Sequence, residues 1–562
     1  MKKCFIISLS LLLCLFSQSW FSQQLSNLFS EKGEVYFSFD YPGKSKLNSL
    51  SKIISIDHKT NASRAYAYAN KKEFKEFIKL GIDYKVVKKP LISYVSHKGA
   101  KNNWDYYPSY QEYEDMMQDF ADTYPSLCKL HNLGTLSSGR KILAVQISDN
   151  VGAKENEPSF LYTSSMHGDE LAGYVLTLRL IDQLLSEYGS NPILTNLVNE
   201  IDIWINPLAN PDGAYAGGNQ NVWGATRNNA NWVDLNRNYP DPEDGPHPDG
   251  NPFQQETEIF MGLADTINFT LSANMHGGVE VCNYPWDTWG NLTADDSWWQ
   301  YICSEYADSC QANGPGGYFN YLNDGITNGW DWYEVDGGRQ DYMNYFRRCR
   351  ELTLELSDDK TPNPNDLPQL YTANYPSMVN FMEQALFGIR GIVTDSITGF
   401  PLNAKVEITG HDIDSSHVYS SLPVGNYHRY LYQGNYNLTF SKLGYYPKTI
   451  TASIQNNATI VQDVQLVPMG PVDLTNLNSA VFLQASPNPA NQLVNISYNS
   501  TEFTIQNQLF LWDDLGRVVQ KISLIGNSGS IELSTAHLTP GMYYYGFSGM
   551  HYSSCKKLMI AR

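Results

Sequence analysis

The sequence predicts an α/β fold, a mixed central sheet with helices on both faces, followed by two small all-β sandwich modules. Three observations predict it. From about residue 100 to 386, strand-like runs such as Ile142-Leu-Ala-Val-Gln-Ile, Ile201-Asp-Ile-Trp-Ile and Leu352-Thr-Leu-Glu-Leu alternate with segments of helical apolar spacing. After Leu386 the helical spacing stops, and short strands follow one another between Gly and Asn turns. A linker-like stretch from Met469-Gly-Pro to about Ser479 then separates one β module from the next.

Taken in order, residues 1–22 read as a secretory signal: Lys2 and Lys3, an apolar run from Phe5 to Phe16, then polar and small residues. The run is too short to span a bilayer, and no other segment is apolar enough, so the mature chain is expected to have no integral membrane segment. Residues 23–98 form a small αβ-patterned unit. Gly33-Glu-Val-Tyr-Phe-Ser-Phe alternates like a strand, Leu50-Ser-Lys-Ile-Ile-Ser-Ile reads as a second, and Lys71 to Leu80 reads as a helix. Basic sites follow at Lys88-Lys89-Pro90 and between His97 and Lys101, so the unit is read as a pro-segment rather than a permanent domain. The α/β core is assigned to 99–386, the first β module to 387–469, a linker to 470–480 and the second β module to 481–562. The last residues, Lys556 to Ile560, show poor alternation.

The 562 residues carry a formal charge of −19, from 39 basic and 58 acidic side chains, which argues against a nucleic-acid partner. Of eight cysteines, Cys4 and Cys14 leave with the signal. The others follow no metal-binding spacing, and Cys303 with Cys310 is expected to form a local disulfide.

The candidate chemistry lies in the α/β core. His167-Gly-Asp-Glu170 falls between a strand (156–163) and a helix (Leu171 to Leu185), and His276 follows a distant strand. Two imidazoles and a carboxylate are the protein ligands a catalytic Zn²⁺ takes when its fourth position is left to water. Glycines follow each histidine, as a backbone turning sharply beside a site requires. Asn236 and Arg237 are adjacent and flanked by turn formers, a pair whose donors match a carboxylate. Arg227 is placed to stabilise oxyanion charge. Tyr333 sits on a Gly-bounded segment expected to be mobile, and Glu351, Thr353 and Glu355 share one face of an apolar strand. A buried carboxylate there needs a partner, and a water to deprotonate supplies one for Glu355.

Together, HGDE (167–170), NPDG (210–213), RNNANWVDLNRNYP (227–240), MHGGVEVCNYPWD (275–287), GITNGWDWYEVDGGRQDY (325–342) and ELTLEL (351–356) resemble the zinc metallocarboxypeptidases. The likeness is closer to the carboxypeptidase N/E/D branch than to the digestive carboxypeptidase A branch. The resemblance implies one Zn²⁺ held by His167, Glu170 and His276, with Glu355 as general base and Arg227 polarising the scissile carbonyl. It further implies that Asn236 and Arg237 grip the terminal carboxylate of a peptide or protein substrate, while Tyr333 closes over it. Asp287, after the N-Y-P-x stretch, holds the place of an acidic residue that reads a basic C-terminal side chain. Gln340 replaces an acidic residue that sets basic preference in some digestive enzymes. Arg339 departs from the pattern and is expected to crowd or repel a basic substrate.

The resemblance also implies that the first β module is transthyretin-like. The final module resembles type IX secretion sorting domains through SPNPA (486–490), LFLWDDLGRV (509–518) and PGMYYY (540–545), implying export through the periplasm to a secreted or cell-surface location with the secretion machinery as partner. Two rival functions share these residues: an amidohydrolase or peptidase acting on cell-wall peptides, and a catalytically inactive surface-binding homologue. Neither G-x-S-x-G nor H-E-x-x-H occurs, which counts against a serine hydrolase and the usual metalloprotease signature.

Overall fold

The computed structural model describes residues 28–29, 33–87, 103–469, 481–500, 508–513, 517–524, 528–547 and 556–561. The signal, the basic stretches between 88 and 102, the linker 470–480 and Cys555 lie outside the described residues.

An eight-stranded mixed sheet organises the core. Its strands are β5 (Cys128–Thr135), β6 (Lys141–Ile147), β7 (Ser159–Ser164), β8 (Asp202–Asn206), β9 (Phe269–His276), β10 (Glu280–Tyr284), β11 (Ile326–Asn328) and β12 (Arg350–Leu356), and their spatial order is β11-β10-β12-β9-β7-β8-β6-β5. β9, β7 and β8 run parallel, as do β12 and β9, while the β5/β6/β8 edge and the β10/β12 pair are antiparallel. β7 and β12 are buried along their whole length, so the polar residues that alternate with Leu352, Leu354 and Leu356 in β12, Glu351, Thr353 and Glu355, are buried as well. Helix Ala172–Ser186 buries Val175, Leu178, Ile181 and Leu185, the apolar positions that predicted it, in one cluster with residues of helices Asp296–Asn313 and Leu367–Glu383.

The N-terminal unit is a four-stranded antiparallel sheet with helices Lys44–Ser51 and Lys71–Lys79 among its described residues. Its strands β1 (Glu34–Asp40), β2 (Ser55–Ile56), β3 (Arg64–Asn70) and β4 (Tyr84–Val86) lie in the order β2-β3-β1-β4. Helix Lys71–Lys79 starts from a capping box made by Asn70 and Glu73. The second expected strand is corrected. Leu50 and Ser51 end a helix, Lys44–Ser51, and only Ser55 and Ile56 pair as a strand. A short apolar run does not separate helix from strand by its periodicity.

From Gly388 to Leu466 short strands build two small sheets, of order β16-β13-β19 with β20 beside β13, and β15-β14-β17-β18. Here β13 is Gly388–Asp395, β14 Lys405–Ile408, β15 Val418–Tyr419, β16 Asn426–Arg429, β17 Gly434–Ser441, β18 Lys448–Ile454, β19 Thr459–Val461 and β20 Val464–Leu466. The C-terminal module is a separate compact unit with a three-stranded and a four-stranded sheet. Its final strand, Lys556–Ile560, does alternate, burying Leu558 and Ile560 while Lys557 and Met559 are exposed.

The expected Cys303–Cys310 disulfide is absent. Both thiols are free and buried, on a single helix seven residues apart, about 10 Å along its axis and beyond disulfide reach.

Candidate active site

The metal-ligand candidates converge beyond the carboxyl ends of β7 and β9, where open α/β sheets gather their sites. The turn after β7 carries His167 and Glu170. A Cβ at Gly168 would collide with the backbone of Gly213 and Ala214, so this turn packs against the Asn210-Pro-Asp-Gly213 segment only with glycine there. Asn210 braces the pair, donating to the Met166 carbonyl and accepting from the Gly213 N–H.

His167 Nδ1 lies 3.0 Å from Glu170 Oε2, His276 Nδ1 lies 2.8 Å from the same oxygen, and the two nitrogens are 3.0 Å apart. Three lone-pair donors on so small a triangle fit an ion about 2.0–2.2 Å from each, just off their plane. All three residues are buried. His167 Nε2 is 2.9 Å from Asp234 Oδ1, the outer carboxylate that fixes a ligating imidazole, and the Asn274 amide lies 2.8 Å from His276 Nε2. The donor set and its outer shell fit Zn²⁺. Burial alone would raise the Glu170 carboxyl, but His167 and Lys360 outweigh it and hold the group well below its ordinary range.

Strand pairing sets Glu355 opposite His276, the two in register across β12 and β9. β12 is an interior strand, so its Glu355 side chain is almost fully buried. Burial, then the charge of Glu170, pushes its carboxyl up to about 8, and Oε2 has no hydrogen-bond partner. Arg227 Nη1 donates to Glu170 Oε1 (3.2 Å) and Nε to Asp234 Oδ2 (3.0 Å), which places its guanidinium against the ligand shell. Asp234 also caps the turn bearing Asn236 and Arg237. Arg237 is 8% exposed, yet its Nε and Nη2 have no partner; buried donors without an acceptor fit a carboxylate to come.

Asp287 is buried, and its carboxyl is pushed up to about 7 by burial. It accepts from Asn283 Nδ2 at 3.1 Å, and no side chain larger than glycine's fits at Gly329 beside its Oδ1. Gln340 is buried with neither amide atom partnered, and Asn283 Oδ1 is likewise unpartnered. Arg339 turns away from this region: Nη2 meets Glu351 Oε2 at 3.0 Å and Nη1 donates to Thr163 Oγ1. The expectation that it crowds substrate is therefore corrected.

Tyr333 differs from its expected setting. It is 4% exposed and packs with the N-terminal unit's Phe39, Ile54 and Ile56 cluster, so no open loop surrounds it. Two further residues at the site went unremarked in the sequence. His58 Nδ1 approaches Glu355 Oε1 to 2.9 Å, without hydrogen-bond alignment. Lys360 Nζ donates to Glu170 Oε1 at 2.5 Å.

A His–Glu–His set at the strand ends of an α/β sheet, with a buried carboxyl facing it, defines a zinc hydrolase class of site. Residues 113–377 match the zinc carboxypeptidase family, and residues 484–561 match the secretion system C-terminal sorting domain. The carboxypeptidase N catalytic chain of Mus musculus is 34% identical over 397 residues, 64% of this chain and 86% of that one. Carboxypeptidase D of Mus musculus is 35% identical over 389 residues, 66% of this chain; the match spans 28% of that longer protein. This chain belongs to the zinc carboxypeptidase family. A crystal structure of the carboxypeptidase A from Helicoverpa armigera shares the fold, with a TM-score of 0.51 at 19% identity over 63% of this chain and 97% of that chain.

Proposed function

We propose that this chain is an exported zinc carboxypeptidase that removes single C-terminal residues from peptides or proteins, with preference for Arg and Lys. The observation that carries the reading is the register of β12 on β9, which sets the buried Glu355 beside the His167–Glu170–His276 triangle, within the sheet whose neighbouring turn holds the unpaired donors of Arg237.

Zinc bound by the triangle would polarise the scissile carbonyl and acidify the attacking water. Arg237 and Asn236 bind the substrate's terminal carboxylate, and Tyr333 covers it. Arg227 stabilises the oxyanion. Glu355 takes the proton of the attacking water and passes it to the leaving amine. The buried acceptors Asp287, Asn283 Oδ1 and Gln340 Oε1 suit a guanidinium or ammonium group in the pocket for the leaving residue.

The N-terminal unit is read as a pro-segment that closes this site. Glu34 accepts from the backbone N–H of Arg227 and Asn228, Tyr68 donates to Asp169, and Lys52 pairs with Asp244, Glu334 and Asp336. The apolar leader and the sorting domain support export to the cell surface or medium. Among the described residues no helix is long and apolar enough to cross a membrane.

The test is hydrolysis of peptides ending in Arg, Lys, Phe, Leu, Glu and a C-terminal amide, with and without chelator, before and after cleavage between residues 87 and 103. Chelator-sensitive loss of one residue, fastest for Arg or Lys and blocked by amidation, is expected. Zinc binding with no release from any free C-terminus would overturn the reading and favour a cell-wall amide or a binding role.

A further inference from the structure

Where the α/β core meets the first β module lies a pocket with basic walls, whose lining holds no aspartate or glutamate. On the core side it is formed by Thr270 of β9 and by Arg347, Arg348 and Arg350, from the turn between helix Arg339–Arg347 and β12. On the module side it is formed by Tyr419 of β15 and His428 of β16.

The three arginines differ in how far their charge is met. Arg350 is balanced, with Nε and Nη2 at 3.1 and 2.7 Å from Asp295 Oδ2. Arg347 pairs with Asp265 through Nη1 and donates to the Ala264 carbonyl through Nη2 (2.6 Å), which leaves its buried Nε without an acceptor. Arg348 forms no ion pair among the described residues. Its Nη1 donates to the Phe346 carbonyl at 2.7 Å, its guanidinium lies 5.7 Å from the Tyr419 ring centroid, and its buried Nε is unpaired. Arg348 also ends its helix at φ 58°, a left-handed position usually held by glycine. A half-buried cation kept there without a counter-charge calls for an anion.

His428 adds a neutral donor. Its Nε2 accepts from Asn426 Nδ2 at 3.4 Å, and that nitrogen is identified as the amide donor because it also donates to the Glu157 carbonyl at 3.1 Å. Burial, with Arg390 and Lys154, lowers the imidazole to about 3, so the ring is uncharged and carries its proton on Nδ1, which is buried without an acceptor.

We propose that this pocket binds one small tetrahedral oxyanion, a phosphate or sulfate, against Arg348, Arg347 and His428, and that the anion bridges the α/β core to the β module. Each oxygen of such an ion accepts more than one hydrogen bond, so a single ion meets all three lone donors.

Calorimetric titration of the full chain with sodium phosphate and, separately, sodium sulfate, in a chloride buffer of fixed ionic strength, is expected to show one site per chain. Arg348→Gln and Arg347→Gln should each weaken it by about 10–100-fold, the worth of a charge-assisted hydrogen bond, and Arg348→Lys should recover part of the loss. The bound anion should raise the melting temperature of the parent in proportion to the logarithm of its concentration and leave that of Arg348→Gln unmoved. Arg237→Gln, which removes the unpaired donors of the candidate active site, should keep the parent affinity. Glycerol 1-phosphate bound as tightly as inorganic phosphate would assign the phosphate end of a larger molecule, and binding of the inorganic ion alone would assign the free ion. Should Arg348→Gln fail to fold, Arg347→Gln carries the same measurement. Neither ion bound at millimolar concentration, affinity unchanged in both arginine-to-glutamine variants of the pocket, or affinity lost in Arg237→Gln would each overturn the proposal.

Discussion

His58 of the N-terminal unit places its Nδ1 2.9 Å from Oε1 of Glu355, the carboxyl that stands in register with His276. The ring packs on Trp332, with centroids 4.7 Å apart, and lies beside Tyr333. Burial lowers the imidazole to about 3 and, with Glu170, raises the carboxyl to about 8, so two neutral groups meet and no ion pair forms. On the proposed mechanism the contact would occupy the space in which Glu355 meets water. Cleavage between residues 87 and 103, followed by separation of the N-terminal piece, should raise kcat/KM by about 100-fold, as for a cover leaving roughly 1% of molecules open. Cleavage without separation should leave activity low. Equal activity before and after separation, measured on one short peptide, would show that the unit does not block the site.

Glu355→Gln keeps the volume of the side chain and removes the proposed base. Zinc content and inhibitor affinity should stay at parent levels, while kcat falls by about 10²–10⁴, the usual share of acid–base catalysis. Turnover within threefold of the parent would take the proton-transfer role from this residue.

The fold was legible where one pattern had one physical cause. β8 and β12 were readable because Ile203 and Ile205, and Leu352, Leu354 and Leu356, recur at every second position, β7 because Phe160-Leu-Tyr162 is a short apolar run, and His167, Glu170 and His276 because glycines and strand ends mark a turn beside a site. Lys360 was not, since a lysine in an Asp-rich loop reads as surface until Glu170 is placed beside it. His58 was hidden for the same reason: the contact joins residues 297 positions apart, one in the turn after β2 and the other in β12. Arg339 misled because sequence shows the charge and omits Glu351, 12 residues on, which pairs with it.

If Asp287 reads the substrate's basic side chain, as proposed, it sets a pH dependence with a definite sign. A basic side chain pairs with its ionised form, and burial pushes the carboxyl up to about 7. Protonation of Glu355 slows both substrates alike, so the ratio of Arg-ending to Leu-ending hydrolysis should fall as pH falls through about 7, up to tenfold per unit. Asp287→Asn should remove the difference and cost about 100-fold in kcat/KM for Arg, the worth of a charge-assisted bond. Stability runs the other way. A folded value above the unfolded one near 4 gives stability that is present below pH 4 and lost as pH rises through 7, so Asp287→Asn should raise Tm at pH 8 and leave it unchanged at pH 4. Parallel pH profiles for Arg and Leu substrates would separate Asp287 from the specificity pocket.

Asp295 joins the α/β core to the β module that follows it. Its Oδ2 meets Arg350 at 2.7 Å, at the start of β12, and Arg429 at 2.8 Å, in β16; its Oδ1 meets His411 at 3.0 Å. Burial would raise this carboxyl, but Arg429 and Arg350 outweigh it and hold it far below the ordinary range. The stability it contributes is present above about pH 4 and is lost only as pH falls toward its depressed value. Arg429 keeps Asp412 at 2.6 Å if Asp295 is lost, whereas Arg350 keeps only carbonyl acceptors. Asp295→Ala therefore leaves a buried guanidinium without its counter-ion, at a cost of about 3–5 kcal/mol. Because Arg350 opens the strand that ends at Glu355, core and β module should melt in one transition in the parent, displaced to lower temperature in the variant at pH 7. Two separate transitions in the parent, seen by calorimetry, would mean that the ionic cluster does not couple them.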